Sequence, residues 1–154
     1  LLADAPLSAV GETRVYSHLL GKSPVSFFGS PDLVPRRRPR ADSPFVSIAG
    51  VPLLLPGRQN ALRRMVDHAF EKAGFTPRIV GEFDDTALMK VFGQHGAGLF
   101  PAPEALAKQI RQQYGVRPVL RLDLVERFFA VTVERKLRHP AATAMLERAE
   151  SLFA

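Results

Sequence analysis

The five residues Pro56-Gly57-Arg58-Gln59-Asn60 are where this chain could first meet a small ligand. They would lead from a buried strand into the N-terminus of a helix. Gly57 lets the backbone approach a bound group, the free N–H groups and positive helix end favour an anion, and Arg58 adds a charge. No Gly-Lys-Ser/Thr follows, so this is not a nucleotide phosphate loop. An ordinary turn with an exposed arginine fits the same residues, and the sequence leaves both readings open. Glu82, Asp84 and Asp85 form the one local carboxylate cluster. Three oxygen donors so close could hold a hard cation or act as acid and base. Capping suits them better: Asp84 or Asp85 can start a helix and favour its dipole, while Glu82 alternates away from Phe83.

Other chemistry lacks its parts. His18, His68, His95 and His139 are far apart, with no second His or Cys three or four residues away, so no zinc site is expected. His139 precedes Pro140 and is expected to cap the last helix; His68 is expected to face solvent. Cysteine is absent, which excludes a disulfide framework, a thiolate metal site and a cysteine nucleophile. No serine lies in a Gly-x-Ser-x-Gly turn. The glycines of Gly93-x-x-Gly96-x-Gly98 open a strand rather than a helix, the wrong order for a dinucleotide fingerprint. Neither an enzyme nor a metal or cofactor is expected.

The elements that would position these residues follow from the hydrophobic pattern. Val51 to Leu55 is a short apolar run bounded by Pro56-Gly57 and suits a strand buried on both faces. Ala61, Leu62, Met65, Val66, Ala69 and Phe70 recur at helical spacing, with Asn60 to cap that helix and Gly74 to end it. Arg78 to Phe83 is the next strand. A second helix follows, with Ala87, Leu88, Val91 and Phe92 on its inward face. Ala97 to Phe100 reads as a third strand stopped by Pro101. A third helix carries Ala105, Leu106, Ile110 and Tyr114 and ends at Gly115. Val119 to Leu124 and Phe128 to Val133 alternate with period two and read as separate strands. A last helix starts at Pro140 and turns Ala141, Ala144, Met145, Ala149 and Leu152 inward. Val25 to Phe28 is a further strand.

This alternation predicts an α/β fold with a doubly wound, mostly parallel sheet. Ligands of such sheets bind beyond the carboxyl ends of the strands, at helix N-termini. The rule selects the loops Pro56 to Asn60, Phe83 to Asp85 and Phe100 to Pro103. The expected ligand-lining residues are Pro56, Gly57, Arg58, Gln59, Asn60, Asp84, Asp85 and Pro101.

The 154 residues suit one domain, or a domain and a fraction, with 46% apolar and 23% charged residues, which excludes a disordered chain. The net charge of +6 invites nucleic acid or anionic surfaces only weakly. Part of it sits in Arg36-Arg37-Arg38 and Arg40, inside a proline-rich stretch from Pro31 to Pro44 that reads as an exposed connector. No run approaches the ~18 apolar residues of a membrane helix. Leu1-Leu2-Ala3-Asp4 has neither a basic start nor an initiator Met, so a piece of a longer chain, without a signal peptide, is expected.

Ordered along the chain, several pieces resemble the effector-binding region of LysR-type transcriptional regulators. They are Leu53-Leu54-Leu55-Pro56-Gly57, Arg63-Arg64, Gly74-Phe75-Thr76-Pro77-Arg78-Ile79-Val80, Ala87-Leu88, Val91-Phe92 and Gly96-Ala97-Gly98-Leu99-Phe100-Pro101. Phe128-Phe129-Ala130-Val131, the basic turn Arg135 to His139 and the last helix complete the pattern. Each piece is short; their order and spacing carry the likeness, which covers nearly the whole chain. The pieces Asp4-Ala5-Pro6-Leu7, Arg78-Ile79-Val80-Gly81-Glu82-Phe83 and Val91-Phe92-Gly93-Gln94 look most like the family's activators of sodium/proton antiporter genes.

The resemblance implies an incomplete effector domain of the type 2 periplasmic-binding-protein kind. Residues 1–30 would be a remnant of subdomain I, 31–125 a complete subdomain II, and 126–154 the return strand and C-terminal helix of subdomain I. It further implies a cytoplasmic homo-oligomer, dimer or tetramer, that takes a small anion or other small-molecule effector, and a sodium or pH signal. Promoter DNA would be reached only through a missing N-terminal domain, and no membrane is involved. A solute-binding module of a transport system shares the fold and is the alternative.

Overall fold

The computed structural model describes residues 1–33, 38, 40, 42, 44–133, 135 and 138–153. Arg36 and Arg37 of the basic run, the rest of 34–43 apart from 38, 40 and 42, residues 136 and 137 of the basic turn, and residues 134 and 154 lie outside the described residues. The elements are β1 (Leu2–Ala3), β2 (Ala9–Val10), β3 (Thr13–Arg14), β4 (Tyr16–Gly29), β5 (Pro52–Pro56), α1 (Ala61–Lys72), β6 (Arg78–Phe83), α2 (Thr86–Gln94), β7 (Phe100–Pro103), α3 (Ala107–Tyr114), β8 (Arg117–Thr132) and α4 (Pro140–Ser151). Short 3-10 turns precede β5 and α3. The chain forms two compact units, Leu1–Ser23 with Val125–Ala154, and Pro24–Leu124; β4 and β8 each run from one into the other.

The Pro24–Leu124 unit is built around β5. Leu53, Leu54 and Leu55 are at most 2% exposed. Successive strand side chains point to opposite faces. Leu53 and Leu55 accordingly join Phe27, Val66 and Phe70 in one apolar cluster, while Leu54 joins Phe28, Met89 and Phe100 in another. β6 pairs with β5 in parallel, from Pro52↔Arg78 to Pro56↔Phe83, and Leu99 bridges to Leu53 on its other side, also in parallel. β7 pairs antiparallel with β4, Phe28↔Phe100 to Val25↔Pro103. The strand expected at Ala97 to Phe100 therefore lies at Phe100–Pro103. Alternation puts the missing N–H groups of Pro101 and Pro103 on one edge of β7, so Phe100 and Ala102 can carry the ladder.

α1 and α2 begin at side-chain caps, and glycines follow the ends of α1 and α3. Asn60 Oδ1 accepts from the N–H groups of Leu62 and Arg63, at 2.8 and 3.4 Å. Asp85 Oδ1 accepts from Ala87 and Leu88, at 2.8 and 3.3 Å. Gly74 and Gly115 follow α1 and α3 with φ of 62° and 66°, a conformation that costs glycine little.

Two inward faces differ from the expected ones. In α2 the buried residues are Met89 and Gly93, whereas Leu88, Val91 and Phe92 are 48, 39 and 47% exposed and Ala87 is exposed. Gly93 is the cause: a Cβ there would strike the ring of Phe100. The helix lies against that ring on the face where it has no side chain, and Met89, one turn earlier, fills the adjoining core.

The second unit is smaller. β1 pairs antiparallel with β8, Leu2↔Ala130, and β2 with β3, Ala9↔Arg14. His18 Nε2 lies 3.1 Å from Thr132 Oγ1. In α4, Ala142, Leu146 and Ala149 are half-buried while Ala141, Ala144 and Met145 are exposed, so its inward stripe is offset from the expected one. Phe153, just beyond α4, stacks on Phe128 at 4.7 Å between centroids. His139 holds the N-cap position of α4 without a side-chain hydrogen bond. The two strands expected at Val119 to Leu124 and Phe128 to Val133 are one, because Val125-Glu126-Arg127 carries no turn-forming residue and Glu126 is buried.

The α2 assignment is testable by chemical denaturation. Met89→Ala should cost about 2–5 kcal/mol, the range for truncating a buried large apolar side chain. Leu88→Ala should stay within about 1 kcal/mol, as surface changes do. The reverse ranking would restore the face read from the sequence.

Candidate functional site

The fold brings the first two expected loops together. Gly57 N–H donates to Phe83 O at 2.8 Å, joining the turn after β5 to the end of β6. Asp84 Oδ1 packs against the Cα of Gly57, where any Cβ would collide with it. Asn60 N–H donates to Gly57 O at 3.0 Å and closes the turn. Among the described residues no hydrogen bond engages the backbone N–H groups of Arg58, Gln59 or Ala61. Arg58 and Gln59 are exposed, Gly57 and Asn60 half-buried, and Pro56 buried.

Pro101 is placed differently. It is buried inside β7 and paired with Phe27. The parallel bridge Leu53–Leu99 puts it level with Leu55, one residue short of the turn.

The charges are arranged around a residue that the sequence reading passed over. Arg63, in the first turn of α1, has a side chain only 3% exposed. Its Nε donates to both Asp67 oxygens, at 2.9 and 3.0 Å. Its Nη1 donates to Pro56 O at 2.9 Å and its Nη2 to Glu82 Oε1 at 3.3 Å. Burial alone would lower the pKa of this guanidinium, but the hydrogen bonds and charges of Asp67 and Glu82 outweigh it, so the pKa stands above the ordinary arginine value. Glu82 is shared: its other oxygen lies 4.0 Å from Nε of Arg58, which is 80% exposed. Such an open, long pair contributes little stability and leaves Arg58 available to another partner.

The three carboxylates thus have separate tasks. Glu82 joins two arginines, Asp84 packs on Gly57 and Asp85 caps α2. Among the described residues no group of three or more His, Asp or Glu side chains is placed to hold a metal. The signal for Arg63 was present: it lies three and seven residues before Val66 and Phe70, on the apolar stripe, with Asp67 one turn on.

The family described as the LysR substrate binding domain matches residues 4–154. The transcriptional activator protein NhaR of Escherichia coli strain K12 is 31% identical over 143 residues, which is 92% of this chain and 45% of NhaR. The chain thus spans less than half the length of that relative. The regulatory domain of CcmR from Synechocystis PCC6803, solved in complex with 2-PG, matches 99% of this chain and 72% of its own, with a TM-score of 0.68 and 12% identity. The effector binding domain of QuiR, solved in complex with shikimate, matches 90% and 65%, with a TM-score of 0.59 and 15% identity. Those two likenesses are of fold. With the match over nearly all its residues, the chain belongs to the LysR substrate binding domain family and is the effector domain of a LysR-type regulator, mixed α/β and of the type 2 periplasmic-binding kind.

Proposed function

We propose that this chain senses a small anionic effector at the turn Pro56–Asn60 and the adjoining Asp84–Asp85. The observation that carries the reading is the set of three backbone N–H groups, on Arg58, Gln59 and Ala61, with no partner among the described residues, beside the exposed guanidinium of Arg58. Donors at a helix N-terminus with a nearby cation suit a carboxylate, sulfate or phosphate. The occupied QuiR domain is consistent with this, since shikimate is a carboxylate. Membership of a regulator family favours this role over catalysis and over solute transport. The effector would act by binding one arrangement of the domain better than another. Residues 31–125 are proposed as subdomain II, with 1–30 and 126–154 belonging to subdomain I. Of the described residues, no helix is long and apolar enough to cross a membrane. The proposed setting is the cytoplasm.

A finer reading rests on the 31% identity to NhaR. The parent regulator is proposed to activate a sodium/proton antiporter gene in response to sodium or pH, with promoter DNA held by another part of the protein. The turn itself favours an anion, so the two readings separate in a thermal shift experiment. Millimolar sulfate, phosphate or a small carboxylate should raise the Tm, and Arg58→Ala should abolish the rise. A rise specific to sodium or lithium over potassium at equal ionic strength, lost in Asp84→Ala or Asp85→Ala, would replace the anion reading with a cation site.

Self-association is proposed from a second observation. Val80 on β6 and Leu88, Val91 and Phe92 on α2 are all 39% exposed or more, and among the described residues β6 pairs only with β5. An open strand edge and an uncovered apolar face both invite a partner. Sedimentation velocity at micromolar concentration should show dimers or larger species, shifted toward monomer by Phe92→Glu. A monomer throughout would contradict this.

A further inference from the structure

We infer that Arg63 is the positioning residue of this site: its buried guanidinium fastens the turn after β5 to the end of β6, so that the two loops keep one geometry. The inference rests on the reading of these loops as the effector site. Arg63 is wedged on the core side of α1, on one stripe with Val66 and Phe70, so its stem cannot drift. From there one planar fork reaches three acceptors on three elements: Asp67 within α1, the carbonyl of Pro56 at the end of β5, and Glu82 near the end of β6. Lysine could not replace it, because an ammonium is a point charge without a fixed fork.

Each contact acts on a named part of the site. Capture of the Pro56 carbonyl sets the direction in which the chain leaves β5, and hence where the N–H groups of Arg58 and Gln59 stand. The hold on Glu82 fixes the carboxylate that faces Arg58 at 4.0 Å. The exposed arginine that would meet an effector is thereby linked, through Glu82 and Arg63, to the core helix. A ligand that draws Arg58 away from Glu82 changes the load on Arg63, and both loops respond together.

Amide hydrogen exchange on the whole chain tests this, with sulfate as the ligand probe. In Arg63→Met, exchange at the hydrogen-bonded amides of the two loops, Gly57 and Asn60 in one and Ala87 and Leu88 at the Asp85 cap of the other, should rise together by about tenfold or more, the scale set by losing a charge-assisted contact. Arg63→Lys should give a smaller rise at both. Ile110→Val, a core change elsewhere in the same unit, controls for general loosening and should leave the two loops as in the wild type. A rise in Arg63→Met confined to one loop, or spread evenly over the unit, would overturn the inference. If Arg63→Met does not fold, Glu82→Ala decides: faster exchange at the Gly57, Ala87 and Leu88 amides supports the tie and unchanged exchange refutes it. A wild-type chain whose Tm does not respond to sulfate would refute the anion reading, while the exchange pattern still decides the role of Arg63.

Discussion

A strand buried on both faces governs the Pro24–Leu124 unit. Leu53 and Leu55 supply one apolar cluster and Leu54 the other, so β5 is the wall that the two share. Burying each such side chain contributes about 1.5–3 kcal/mol, and losing the strand would open both clusters at once. The strand can satisfy its backbone only through its neighbours, β6 on one side and Leu99 on the other. Its end is consequently a fixed point, and whatever the chain presents beyond Pro56 stands on a rigid base.

That base explains why charge concentrates just beyond it. The core ends at Pro56 and Phe83, and the first polar groups outside it are Arg63, Glu82 and Arg58. A buried guanidinium is costly unless paired, and here two carboxylates and a carbonyl surround it. The outermost arginine keeps its charge facing solvent. One network thus runs from the core to the surface, from a residue fixed by packing to one free to exchange partners.

What the sequence disclosed was local. The apolar run ending in Leu53 to Leu55, the cap Asn60, a capping aspartate at 84 or 85, and the helix-ending glycines Gly74 and Gly115 depend on a few adjacent residues, and all were legible. The stripe of α2 was not, because its decisive contact is a missing side chain: Gly93 admits the ring of Phe100, and a glycine weighs nothing in a hydrophobic pattern. The continuity of β8 was hidden because Glu126 reads as polar, yet it is buried within the strand. At the site, the turn and the cap Asn60 were legible, while the choice of Asp85 over Asp84 for the second cap was made by the structure. The link between Glu82 and Arg63 was not, since 19 positions separate them and only the parallel pairing of β5 and β6 brings them together. Pro101 was read as a loop and is a strand residue, for want of any local sign that β4 would pair with it.

The central claim is that an anion binds at the end of β5, on the turn that Arg63 and Glu82 hold in place. Backbone amide shifts recorded by NMR on the labelled chain, during titration with sulfate and with a small carboxylate, test it most directly. The account predicts saturable shifts concentrated at Arg58, Gln59 and Ala61, with smaller ones at Asp84 and Asp85. Saturable shifts centred elsewhere, with these amides unmoved, would contradict it.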